Sequence, residues 1–212
     1  MDFINILTYL SEKNSKDSEF VDLYKSIVSF NKIHFIPYVS YEIALFLRLM
    51  ANLKQPKNIL EIGFGSGVSS IFIKSGIKKT NKFITLELDK NRYNRGIELL
   101  KKFNISNIEL IYIDAFEYFK KSKIKFDYIF LDAVKRDYHK YIEPIKMILN
   151  KGGVFLTDNV LFGGRIVKES VEKKYENGVK FLKKFNEDLS NDKSFETLFL
   201  PIGDGISISI KL

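Results

Sequence analysis

Three oxygen-bearing side chains follow short apolar runs in the second half of this 212-residue chain: Asp132 after Phe126–Leu131, then Asp158 and Asn159 after Val154–Thr157. If the two runs are neighbouring strands, their ends lie about 5 Å apart. Two carboxylates that close repel unless a proton or a cation intervenes. An all-oxygen trio suits a hard divalent ion such as Mg²⁺, with positions left open for a substrate. The alternative is that the three are separate helix caps or turn formers. Lys135, three residues beyond Asp132, can approach the same ion. A lysine beside a cation in a closing pocket can have a lowered pKa and serve as a base.

A second group of residues starts in the stretch Asn58–Ser70, NILEIGFGSGVSS. Gly63, Gly65 and Gly67 let the backbone turn sharply and approach a ligand, and the helix that follows presents its N-terminus to it. Position 68 is Val68, so the pattern is G-x-G-x-G rather than the dinucleotide fingerprint. Glu61 inside it suits a positively charged ligand better than a pyrophosphate. Alone, the turn could be no more than a tight strand–helix connection. Glu87 ends the next apolar run, at the spacing of about 20 residues where a carboxylate accepts both hydroxyls of a ribose. Asp114, followed by Ala115, is positioned to contact an adenine edge. Either acid can instead cap the helix after it; with the glycine turn they describe a nucleoside site.

These residues meet only if their strands lie side by side. Apolar residues at helical spacing predict two helices across 2–30, separated by the polar stretch Ser11–Ser18. Pro37 and Ser40 mark a turn and an N-cap before a third helix, Tyr41–Leu53. After Pro56 strand and helix alternate, which predicts a parallel sheet with right-handed crossovers. The expected strands are Asn58–Ile62, Lys82–Glu87, Ile108–Tyr112, Phe126–Leu131 and Val154–Thr157, the last entered by a turn at Gly152 and Gly153. Helices are expected at Val68–Ser75, Asn91–Phe103, Ala115–Lys121, Tyr138–Leu149 and Val171–Leu189. Phe195–Pro201 and Gly205–Lys211 close the sheet. The domain expectation is one unit over 1–212, a helical preface (1–55) and an α/β core (56–212).

With no cysteine, disulfides and thiolate metal sites are excluded, and two histidines, His34 and His139, make a histidine cluster improbable. An apolar content of 45% supports a sizeable core. No apolar run approaches a membrane span and no signal peptide is apparent, so a soluble cytoplasmic protein is expected. The net charge of +8 is concentrated in Lys74–Lys102, with nine basic and three acidic residues, and in Lys120, Lys121, Lys123 and Lys125. It fits either a polyanionic partner or a lysine-rich, arginine-poor composition.

The motifs together resemble the cation-dependent O-methyltransferases, the family of catechol and caffeoyl-CoA O-methyltransferases, and most of all its bacterial tRNA 5-hydroxyuridine branch. They are LEIGFGSGVSS, Glu87, Asp114-Ala115, LDAVKRDYHKY (Leu131–Tyr141), TDNVLFGG (Thr157–Gly164) and PIGDGISIS (Pro201–Ser209). The resemblance implies a Rossmann-like S-adenosylmethionine-dependent methyltransferase, with a seven-stranded sheet whose last strand is antiparallel. It assigns cofactor contacts to Val39, Ser40, Glu61, Gly63, Gly67, Ser69, Glu87, Asp114, Ala115 and Asp132. Metal, Mg²⁺ or Mn²⁺, falls to Asp132, Asp158 and Asn159, with Lys135 as the base. Phe162 stands where many members have tryptophan, and Val134 where plant members have an acid, so acceptor identity is the open point. Arg136, Phe162 and Arg165 fall on the acceptor side, and the two arginines could meet phosphates. The acceptor must offer two adjacent oxygens, as a tRNA wobble 5-hydroxyuridine or a catechol does. A non-catalytic RNA- or cofactor-binding relative is a third reading. A homodimer is expected from the family alone.

Overall fold

The computed structural model describes residues 3–14, 18–32 and 35–212; His34 lies outside them. Helices α1 (Phe3–Asn14), α2 (Ser18–Lys32) and α3 (Tyr41–Lys54) form the preface. The polar separator expected at Ser11–Ser18 is helical through Asn14, and residues 15–17 lie outside the described part. The polar stretch thus takes in the exposed last turn of α1 and reaches the start of α2, between the two expected helices. Ser40 caps α3 as expected, accepting from Ile43 N at 3.4 Å.

The core runs β1 (Asn58–Ile62), α4 (Val68–Ser75), β2 (Lys82–Glu87), α5 (Lys90–Lys102), β3 (Glu109–Tyr112), α6 (Ala115–Lys121) and β4 (Phe126–Leu131). It continues with α7 (Ile142–Ile148), β5 (Leu149–Asp158), α8 (Lys173–Asn191), β6 (Phe195–Leu200) and β7 (Ile206–Lys211). The sheet order is β3-β2-β1-β4-β5-β7-β6, with only β7 antiparallel to its neighbours. The strand order, not the strand direction, reverses between the parallel neighbours β1 and β4, so the carboxyl ends of those two strands form the switch point at which α/β sheets bind ligands. Among the described residues no helix is long and apolar enough to cross a membrane.

Two differences from the sequence reading have local causes. The helix expected at Tyr138–Leu149 is split into a 3-10 segment, Lys135–Lys140, and α7 from Ile142. Tyr138 is driven into the core against Phe185 of α8 at 5.4 Å, which turns the chain before an α-helix can start. Gly152 and Gly153 do not turn into β5; they lie within it. Phe126 pairs with Leu149 and Tyr128 with Val154, so the extra residues on β5 make a bulge, and Gly152 supplies its positive φ of 70°.

Strand residues alternate between two apolar layers. Ile59, Phe83, Tyr128 and Phe130 pack with Ile27, Ile43, Leu47 and Phe72 of the helices on one face. Leu60, Ile84, Ile129 and Leu131 pack with Tyr138, Ile145, Leu182 and Phe185 on the other. Each such side chain contributes about 1.5–3 kcal/mol by leaving water. Burial on both faces explains the near-continuous apolar runs, and it fixes the strand ends that carry the polar residues.

Candidate active site

At the switch point, Asp132 N donates to Ile62 O at 3.0 Å and Gly63 N to Leu86 O at 2.9 Å. Here glycine is obligatory: φ at Gly63 is 99°, and a Cβ would overlap the Asp132 carbonyl. The turn that follows binds Glu87. Gly65 N donates to Glu87 Oε2 at 3.0 Å, and Asp89 N to Oε1 at 2.9 Å. Each carboxylate oxygen keeps a second lone pair for a ligand hydroxyl.

A cleft of about 280 Å³ opens between the strand ends, just below the usual range of ligand pockets. Gly63, Glu87, Asp114, Ala115, Asp132, Lys135, Asp158 and Asn159 all line it. Asp114 also caps α6, with Phe116 N and Glu117 N both donating to Oδ1, so capping and cleft-lining coexist. Beside it Phe116 stacks on Tyr141 at 4.6 Å, an aromatic wall at the end away from Asp158.

The register Leu131↔Thr157 sets Asp132 beside Asp158. Asp158 is 3% exposed. Its carboxyl is pushed up to about 7, first by burial and then by the Asp132 charge, with Lys135 pulling the other way. Lys135 Nζ donates to Asp132 Oδ1 at 2.7 Å. Asn159 holds a left-handed φ of 60°; its Nδ2 donates to Asp204 Oδ2 at 3.3 Å, which orients the amide. A hard cation between the carboxylates would relieve their repulsion, and two carboxylates with one amide oxygen are donors of the right kind. Among the described residues no group of three or more His, Cys, Asp or Glu could hold a metal instead, and His139 stacks on Phe181 at 4.9 Å.

Other expected residues lie off the cleft wall. Glu61 is fully buried beneath the glycine turn, accepting from Ser69 Oγ at 2.5 Å, Thr85 Oγ1 at 2.8 Å and Ser70 Oγ. Burial pushes its carboxyl up to about 7 against those three donors. Gly67 starts α4 with φ 78°, Val39 is buried, and Ser40 caps α3. On the acceptor side Arg136 is exposed beside Asp137. Phe162 turns its ring onto Gly178 and Tyr175 of α8, and the Arg165 guanidinium sits 4.1 Å from the Tyr175 ring centre. Pro37, Tyr38 and Arg92 line the cleft too; of these the sequence marked only Pro37, as a turn former and not as a site residue. They precede or follow the motifs, and nothing in their spacing points inward.

A family model described as O-methyltransferase matches residues 12–212. A caffeoyl-CoA O-methyltransferase of Stellaria longipes is 29% identical, the match covering 76% of this chain and 70% of that protein. Tricin synthase 2 of Oryza sativa subsp. japonica is 27% identical over 78% of this chain, which spans 60% of the rice protein. The O-methyltransferase of Bacillus cereus, solved in complex with SAH, superposes with a TM-score of 0.83 at 21% identity, covering 97% of this chain and 96% of that one.

Proposed function

The chain belongs to the O-methyltransferase family, and we propose that it moves the methyl group of S-adenosylmethionine to a hydroxyl that has a second oxygen beside it. One observation carries the reading: the β1/β4 switch gathers Glu87 and Asp114 at one end of a single cleft and Asp132, Asp158 and Asn159 at the other. Glu87 binds the ribose hydroxyls, Asp114 and Ala115 the adenine edge, and the Phe116–Tyr141 wall flanks the base. Asp132, Asp158 and Asn159 hold Mg²⁺ or Mn²⁺. When bound, such an ion supplies charge that lowers the pKa of an adjacent hydroxyl. Lys135, after first giving up the proton with which it pairs to Asp132, would receive the hydroxyl proton as the acceptor oxygen bonds to the methyl carbon and the carbon–sulfur bond breaks. Holding oxygen, methyl and sulfur in line supplies much of the remaining acceleration.

The favoured acceptor is 5-hydroxyuridine at the wobble position of tRNA, whose O4 and 5-hydroxyl are adjacent oxygens. The net charge of +8 supports it, as do Arg136 and Arg165, in the 3-10 segments that follow β4 and β5. A second reading, a small catechol-like or caffeoyl-CoA-like acceptor, is favoured by the names of the relatives. The family expectation of a homodimer goes with either.

Labelled methyl transfer tests both readings. The protein, with Mg²⁺ or Mn²⁺ and with chelator, is offered 5-hydroxyuridine-containing tRNA and a simple catechol in parallel. Chelator-sensitive labelling of tRNA alone is the expected result, and it should vanish in Asp158→Ala. Labelling of catechol alone assigns the second reading. Full turnover by Asp158→Ala refutes the metal role.

A further inference from the structure

Helix α2 reaches the cleft through two side chains outside every motif. Asn31 is 1% exposed. Its Nδ2 donates to Ile27 O at 2.9 Å in its own helix and to Ser66 O at 3.0 Å in the glycine turn. Two helical turns earlier, the Tyr24 hydroxyl donates to Val39 O at 3.0 Å. Val39 ends the segment that brings Pro37 and Tyr38 onto the cleft wall. The Tyr24 ring also packs edge-on against Tyr38, with centroids 6.2 Å apart.

We propose that α2 is a clamp on the cofactor cleft, with Asn31 and Tyr24 as its positioning residues. This role presupposes that the cleft holds S-adenosylmethionine, the reading given above. The glycine turn needs such a tie. Gly65 and Gly67 sit at φ 52° and 78°, and glycine populates many other conformations at little cost. The peptide carbonyl between them is the atom Asn31 holds, from the side away from the cleft. With Ser66 O fixed, Gly65 N–H stays aimed at Glu87 Oε2, and the ribose-binding carboxylate keeps its orientation. Remove the donor, and a buried carbonyl is left unpaired; the turn then swings to find a partner. Tyr24 does the same for the neighbouring stretch of wall, where the Pro37 carbonyl lies beside Gly65. A preordered cleft binds more tightly because less ordering remains to be done on binding.

The test compares wild type, Asn31→Ala and Tyr24→Phe, with S-adenosylhomocysteine affinity by calorimetry and Mn²⁺ affinity by electron paramagnetic resonance. Melting is followed alongside, and binding is measured well below each Tm. Asn31→Ala should weaken S-adenosylhomocysteine about tenfold, and Tyr24→Phe, which keeps every ring contact, about threefold. Mn²⁺ affinity should stay within about twofold of wild type, because among the described residues the side-chain hydrogen bonds of Asp132, Asp158 and Asn159 go to Lys135 and Asp204 and within the trio rather than to α2. Unchanged S-adenosylhomocysteine affinity in folded variants, with only Tm lowered, overturns the clamp. So does an equal loss of Mn²⁺ and S-adenosylhomocysteine, which would mean general loosening. If Asn31→Ala does not fold, Tyr24→Phe decides alone. Wild type that binds no S-adenosylhomocysteine overturns the cofactor reading itself, and the clamp with it.

Discussion

Two buried carboxylates have environments that oppose their charge, and they differ in what answers it. Asp158 has a carboxylate neighbour, which a cation would answer. Glu61 has three hydroxyl donors and no cation among its recorded partners, so its charge is answered by hydrogen bonds alone. Its folded pKa of about 7 lies above the ordinary carboxylate value. The folded state therefore holds a proton that the unfolded chain releases between about pH 4.5 and 7. Stability from this group is full below that range and is lost as pH rises through about 7. With chelator present, Tm should be several degrees lower at pH 8 than at pH 5.5; Asp158, also pushed up to about 7, shares that slope, so Glu61→Gln should remove part of the difference. An identical pH profile in Glu61→Gln would assign the slope to another group.

At the scale of elements, the sheet works because β1 and β4 approach so closely at their carboxyl ends. Gly63 sits where that approach is closest. An alanine there meets both a positive φ and the Asp132 backbone, whereas Gly152, with φ 70°, has open space around it. Gly63→Ala should cost about 3 kcal/mol and Gly152→Ala about 1 kcal/mol. In a chain of this size these are Tm losses of roughly 6–12 °C and 2–4 °C. Equal losses would mean that φ alone, and not strand approach, makes Gly63 glycine. A shift of β1 from β4 would also part Glu87 from Asp132, so Gly63→Ala should lose methyl transfer where Gly152→Ala keeps it.

For the whole molecule, the basic excess divides into two parts. One part is occupied internally. Lys54 donates to Gly152 O at 2.7 Å, Lys125 to Met147 O, and Lys211 to Lys146 O and Leu149 O at 2.5 and 2.8 Å. Several of these carbonyls belong to the C-terminal end of α7, where a cation is favoured. The other part stays on the surface, including Arg136. If tRNA is the acceptor and three to five phosphates are contacted, its affinity should fall roughly 20- to 100-fold between 50 and 200 mM salt. A flat salt profile, measured by filter binding, would leave the surface charge without a nucleic-acid role and favour the small acceptor.

The sequence alone determined the strands, because burial on both faces demands uninterrupted apolar runs, and it placed Gly63, Glu87, Asp114, Asp132 and Asp158 at their ends. It also set the expectation of an oxygen-bound metal, since cysteine is absent and there are two histidines. What it left open depends on contacts between residues far apart in the chain. Whether β4 and β5 are neighbours is a matter of strand order, and only packing sets that order. Glu61 reads as a ligand contact in the motif, yet alternation along β1 turns it under the sheet toward Thr85 of β2. Tyr138 ends up in the core because α8, some 45 residues later, offers Phe185. Asn31 looks like any polar residue near a helix end, and its partner is 35 residues away. Side-chain direction and long-range partners come from the assembled fold, since local spacing carries no record of which distant backbone group a buried donor will meet.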